Sequence, residues 1–332
     1  MTKQIRIVFF VMLIATLLVP ASVFAAGSRE AAPETFTLRF GHLANEQNPW
    51  HRAAMHFKEI VEERSEGRIQ VNVFPNEQLG NELDTVTGIQ AGTAHMTITG
   101  ESLANWAPYA ALLGVPYAIR DIAHLDAIAG GPIGQQIEEQ IIDAVSLRPI
   151  AYFARGPRNL TSNRPIRHPD DLDNMVLRVP NVPVFVSVWR ALGANPTPMA
   201  FSEVFTALQQ GTIGGQENPY SLIRSASFYE VQDYVNLTEH VISWIYVVIG
   251  EDVFQSMPAD LQQIVLDAGR EMQRFEREIF MAEETALEQE LQDLGMTLVE
   301  VDKAAFQERA AAAVQTALTA EQFQLYQQII SQ

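Results

Sequence analysis

Thr35-Phe36-Thr37-Leu38-Arg39-Phe40 alternates polar and apolar side chains, the two-residue period of a half-buried strand. Pro49 to Arg64 changes period: Trp50, Ala53, Phe57, Ile60 and Val61 recur at helical spacing, and Gly67 stops the run. Arg68 to Phe74 alternates again through Ile69, Val71 and Val73, until Pro75-Asn76. Leu83 to Ala91 reads as a second helix and His95 to Thr99 as a third strand. The order β-α-β-α-β predicts an α/β domain on a mostly parallel sheet.

Downstream, the pattern repeats. Ile150 to Ala154 reads as a strand leaving that domain, Met175 to Val179 as another, and Val182 to Leu192 as a helix closed by Gly193. Phe201 to Gln210 is a further helix with Ser202 as its cap. These form a second α/β unit. Trp244 to Glu251 is strand-like, and its position implies a return to the first unit. From Pro258, a first-turn residue, apolar side chains recur every three or four positions until Gly295. This is roughly 36 residues of helix, ~50 Å long, with Gly269 as a place for a kink. A coiled coil is the competing reading, but the apolar face is broad and the flanking charges irregular. Leu298 to Val301 adds a strand, and a helical segment runs to Ile330.

The first residues have another purpose. Lys3 and Arg6 precede the apolar run Ile7 to Val19, and Val23-Phe24-Ala25 offers small residues where a signal peptidase reads. This is the layout of a cleavable secretory signal, cut after Ala25 or Ala26; the run is short for a membrane span. The expected location is outside the cytoplasm, in the periplasm. The 332-residue chain carries a net charge of −18 and no cysteine. That balance excludes a nucleic-acid partner, whose phosphates it would repel, while a local cationic cleft can still take an anion. Without cysteine there is neither disulfide nor thiol chemistry.

Catalytic signatures are missing. There is no G-x-S-x-G, H-E-x-x-H, Walker-type or dinucleotide-binding glycine motif. His51 and His56 are five residues apart and share no helix face. His42 and His240 stand near strand ends, where a satisfied core histidine is the plain reading. The acidic residues gather on the long helix, as a solvated face does. No enzyme activity and no cofactor or metal are expected.

What remains is a set of polar residues among apolar ones. Arg178 lies between Leu177 and Val179. A buried arginine needs a partner, either an internal carboxylate or that of a ligand, which its planar fork suits. Asn218 sits before Pro219 in what reads as a Gly-Gly-Gln-Glu-Asn-Pro turn, and Arg158 in a loop after a strand.

Gly41, Phe74-Pro75-Asn76-Glu77-Gln78-Leu79-Gly80, Asn163-Arg164-Pro165-Ile166, Leu177-Arg178-Val179-Pro180-Asn181, Pro196-Thr197-Pro198-Met199-Ala200-Phe201-Ser202-Glu203-Val204, Gly215-Gln216-Glu217-Asn218-Pro219 and Phe228-Tyr229-Glu230-Val231-Gln232 occur in that order. Each is weak alone. Together they resemble the DctP-type substrate-binding proteins of tripartite ATP-independent periplasmic (TRAP) transporters, over nearly all of the chain after the signal. The resemblance implies a two-domain periplasmic-binding-protein-like α/β fold. A ligand cleft lies between the domains, strands cross between them, and the long helix spans both. The expected division is residues 34–155 with 244–283, and residues 156–243 with 284–332. It implies a protein that hinges shut on a small organic acid and delivers it to membrane permease subunits; a monomer is the default expectation. Arg178 would pair with the ligand carboxylate, Asn218 would support it, and Arg158 would match a second arginine of the sialic-acid branch. Glu101 would line the far side and Phe201 would pack near the ligand. Leu43 and Asn81-Glu82 depart from the sialic-acid pattern. Glu82, Glu101, Asn81 and His42 then offer polar contacts to hydroxyls, favouring a sugar acid such as a uronate or aldonate over a C4-dicarboxylate, keto acid or sialic acid. Trp50 or Trp244 could stack on a sugar face. A sensor-coupled binding protein would carry the same pattern.

Overall fold

The structure is a computed structural model that describes residues 34–332; the segment expected to be a secretory signal lies outside the described residues. β1 (Phe36–Gly41), α1 (Pro49–Arg64), β2 (Ile69–Phe74), α2 (Glu82–Gln90) and β3 (Met96–Thr99) follow the expected alternation within a residue at most boundaries. Pro49 opens α1 with Asn48 as its cap, and Trp50, Ala53, Phe57, Ile60 and Val61 are its buried face. Each large apolar side chain so buried stabilises the fold by about 1.5–3 kcal/mol. After α3 (Ile122–Ala129) and α4 (Pro132–Val145), β4 (Leu147–Arg155) carries the chain out.

β5 (Asn159–Ser162), β6 (Val176–Val179), α5 (Pro183–Leu192), β7 (Asn195–Pro198), α6 (Val204–Gln209), β8 (Gly215–Asn218), α7 (Tyr220–Ser225) and β9 (Tyr234–Asn236) form the middle of the chain. β10 (Ser243–Gly250) then returns. It is followed by α8 (Glu251–Ser256), α9 (Ala259–Asp293), β11 (Thr297–Val299), α10 (Lys303–Ala317) and α11 (Ala320–Ser331). The strands assort into two sheets, ordered β2-β1-β3-β10-β4 and β11-β9-β5-β8-β6-β7. In the first, β1 pairs parallel with β2 and β3, while β10 runs antiparallel between β3 and β4.

Four local expectations change. The segment from Phe201 divides into a 3-10 turn (Phe201–Glu203) and α6, and Ser202 makes no cap. Gly215 to Asn218 is not a turn but β8, fully buried and antiparallel to β5. Its side chains find partners inside the sheet, and Gly215 stands where any Cβ would strike the Thr161 carbonyl. The terminal segment is two helices, the second opened by a Thr319–Gln322 capping box.

The fourth change concerns α9. It lies along β4, an edge strand whose outer N–H groups need acceptors. The Tyr152 N–H donates to Gln273 Oε1 at 2.9 Å, and a Cβ on Gly269 would come within 2.5 Å of the Ile150 carbonyl oxygen. Glu276 faces the same strand at Ala154, 1 % exposed, and burial pushes its carboxyl well above the usual range. The solvated acidic face therefore has a buried exception. The chain after α9 joins both sheets: α10 packs on α5, while Gln322 of α11 donates to the Pro108 carbonyl.

Candidate functional site

A cavity of about 320 Å³ opens between the two sheets, within the size range of small-molecule sites. Arg178, Asn218, Arg158, Glu82, Glu101, Asn81 and Phe201 all line it, as does Trp50. His42 does not. Its Nε2 lies 3.2 Å from His51 Nδ1, and burial, then His51, lowers its pKa to about 3. It is a neutral buried histidine behind Leu43, which does reach the cavity. Trp244 is core, 0 % exposed.

Arg178 projects from β6, whose neighbours β7 and β8 enclose it. Its Nε and one terminal nitrogen both donate to the Met199 carbonyl, at 3.0 and 2.6 Å, and the Phe201 ring lies 5.9 Å away. Among the described residues no carboxylate is within ion-pair distance of it, so the internal salt bridge falls away as a reading. Burial holds its guanidinium down to about 10.

The other two arginines are already paired. Arg158 forks onto Glu217, with Oε1 at 2.7 Å and the backbone carbonyl at 2.8 Å. On the far side of Glu217, His240 Nε2 meets its Oε2 at 2.9 Å. Burial alone would raise Glu217, but the Arg158 charge and hydrogen bonds, with His240, pull it to about 2. Arg155, at the end of β4, holds both oxygens of Glu101. Burial raises Glu101 despite nearby Arg158.

Glu82 opens α2 and accepts from the Thr99 hydroxyl at 2.5 Å and the Gly100 N–H at 3.3 Å. Burial, then the charge of Glu101, raises it to about 7. Asn81 is the α2 cap; its Oδ1 accepts from the Leu83 and Asp84 N–H groups and its amide donates to Asp84. Asn218 donates to Gln216 Oε1 at 2.6 Å. Across the cavity, Glu77 Oε2 accepts from the Ser202 N–H at 3.2 Å, and Asn105 donates to the Asn181 carbonyl at 3.0 Å.

Sequence reasoning missed Arg155, Glu217 and Glu77. Arg155 carried a signal related to that of Arg178, a charge at the end of an apolar strand rather than inside one. Glu217 was hidden by reading its strand as a turn. The assembled site has one buried cation without a counter-charge, two compensated ones, and a wall of carboxylate acceptors.

The family model for bacterial extracellular solute-binding protein, family 7 (DctP), matches residues 40–321. A solute-binding protein of Roseobacter denitrificans is 58% identical over 292 residues, 88% of this chain and 90% of the relative. The crystal structure of a TRAP periplasmic solute binding protein from Roseobacter denitrificans, with bound L-galactonate, superposes with a TM-score of 0.88 at 56% identity, covering 89% of this chain and 99% of the other. The 2,3-diketo-L-gulonate-binding periplasmic protein of Escherichia coli is 31% identical over 81% of this chain and 83% of its own length. A TRAP periplasmic solute binding protein from Sulfitobacter with bound β-D-galacturonate has a TM-score of 0.86 at 25% identity, covering 89% of this chain and 100% of the other. The chain belongs to the DctP family of bacterial extracellular solute-binding proteins.

Proposed function

We propose that this protein captures a sugar monoacid, an aldonate of the L-galactonate type before a uronate, and hands it to the membrane subunits of a TRAP transporter without transforming it. The observation that carries this reading is Arg178, a buried guanidinium with no carboxylate of its own in a cavity also lined by Glu77, Glu82, Glu101 and Glu203. One anion completes the arginine. Glu77, Glu82 and Glu203 supply acceptors for hydroxyls, and the acidic wall repels a second carboxylate, which disfavours C4-dicarboxylates. The bound ligands of the Roseobacter and Sulfitobacter relatives point the same way.

Two lobes follow from the two sheets, hinged where β4 and β10 cross near Arg155 and Ser243 and along α9, with residues 34–155 plus 244–283 in one and 156–243 plus 284–332 in the other. Gln322 of α11 bonds back across that division. Cleavage of the signal after Ala25 or Ala26 would leave a monomer in the periplasm. A ligand that binds only the folded state raises the melting temperature by mass action. Thermal shift and calorimetry with L-galactonate, D-galacturonate, D-glucuronate, sialic acid, pyruvate and succinate test the reading. Sugar acids should stabilise without being consumed. Stabilisation by succinate or pyruvate alone, or any turnover, would overturn it.

A further inference from the structure

The three arginines of the cavity differ in one respect. Arg158, just before β5, is held by Glu217 of the second sheet, which His240 holds in turn. Arg178, also on the second sheet, has only a carbonyl. Arg155 stands on the first sheet, at the end of β4, and is satisfied by Glu101 in a two-point carboxylate–guanidinium pair, 2.7 Å for one arm. Both partners are buried, at 5 and 6 % side-chain exposure, and both line the cavity. Arg155 Nε is buried without a partner, so the guanidinium has a donor beyond the two that Glu101 occupies. Glu101 itself extends from a 3-10 turn after β3 (Glu101–Asn105), and its Oε1 also lies 3.7 Å from Arg158.

We infer that Glu101 is a resident second carboxylate: it occupies on Arg155 the place that the far carboxylate of a diacid would take, and so sets the site for monoacids. Arg178 and Arg155 project from different sheets into one cavity, as two anchors for the two ends of a single ligand would. Glu101 fills one anchor and leaves the other open. A diacid must therefore displace a buried, two-point ion pair or place its second charge against Glu101 and Glu82, and either is unfavourable. A monoacid meets neither obstacle. This assigns Glu101 to selecting the number of charges on the ligand, in place of contacting a hydroxyl. It rests on the sugar-monoacid reading above.

The test compares Glu101→Gln with the parent and with the double variant Glu101→Gln/Arg155→Gln, using galactonate against galactarate and butyrate against succinate. These pairs differ by one carboxylate at equal carbon number. In Glu101→Gln the ratio of diacid to monoacid affinity should rise at least 30-fold, and in the double variant it should fall back towards the parent value. An unchanged ratio in the single variant, or an equal gain in the double one, would overturn the inference. If the single variant does not fold alone, refolding with each acid decides: rescue by the diacid alone supports the assignment, while rescue by both equally or by neither sinks it. Failure of the parent to bind galactonate would instead count against the proposed function, because the inference is read from the ratio within each pair.

Discussion

Replacing Arg178 by methionine should move binding and stability in different directions. The guanidinium is 4 % exposed and held from its ordinary 12.5 to about 10, chiefly by burial. At about 1.4 kcal/mol per pH unit, keeping the charge inside costs the fold about 3 kcal/mol. Methionine fills a similar volume without that charge. It also removes both donors from the Met199 carbonyl, a loss of about 1–3 kcal/mol. The net effect on the ligand-free protein lies between zero and a gain of about 2 kcal/mol, or up to about 4 °C in melting temperature. Binding answers differently. Removing one member of a desolvated charge pair costs about 2–5 kcal/mol, a loss of about 30-fold to a few thousand-fold in affinity for any acid the parent binds. Calorimetry of the ligand-free and ligand-saturated variant reads both. Affinity within about five-fold of the parent would refute the anchor role. A drop of more than about 4 °C without ligand would show that Arg178 serves the fold.

Glu82→Gln keeps an acceptor for Thr99 and Gly100 but removes the negative charge that Glu82 takes on as pH rises through about 7. It should weaken a polyhydroxy acid by about 10-fold or more and leave a plain short-chain acid nearly unaffected; an equal loss for both would remove Glu82 from hydroxyl recognition. Glu82, Glu138 and Glu284 all hold protons to about 7, burial being the first cause in each. Unfolded, they ionise near 4.5, so the folded state binds more protons between these values. Their contribution is fully present below pH 4.5 and is lost as pH rises through 7. Glu82 is half-buried by area, so its part is at most about 3 kcal/mol. Glu217, held at about 2, acts oppositely and is lost as pH falls below 4.5. His42, held at about 3, opposes this up to its unfolded value of 6.5, so melting temperature should decline from about pH 6.5 to about pH 8; a flat or rising profile over that range speaks against these buried acids. Gly269→Ala drives a Cβ to 2.5 Å from the backbone carbonyl of Ile150 in β4. Denaturant unfolding should show a loss of about 1–3 kcal/mol, and a gain, as helix propensity alone would give, would contradict the close approach of α9 to β4.

Much of this architecture was legible because strands and helices announce themselves by period. The face Trp50, Ala53, Phe57, Ile60, Val61 needed only spacing, and the length of α9 followed from apolar recurrence between Pro258 and Gly295. β8 was not legible: Gln216 and Glu217 look like part of a polar turn because their partners Thr161, Arg158 and His240 lie 23 or more residues away in sequence. Glu276 misled for the mirrored reason, an acid among acids whose orientation towards β4 depends on packing. At the site, Arg178 was visible as a charge inside an apolar strand. Its freedom from any carboxylate was not, since the Arg155–Glu101 and Arg158–Glu217 pairings required the two sheets to be set side by side.

The insertion of β10 between β3 and β4 has a kinetic consequence. The first sheet lacks the strand that joins β4 to β3 until Ser243–Gly250 is available, and by then nearly all of the second sheet has been made. Neither sheet can be completed by the chain nearest to it, because β11 closes the second only after α9. Contacts this distant along the chain make folding slow. The protein should thus linger as an open polypeptide, and refolding from denaturant should show both sheets consolidating in one late, shared phase.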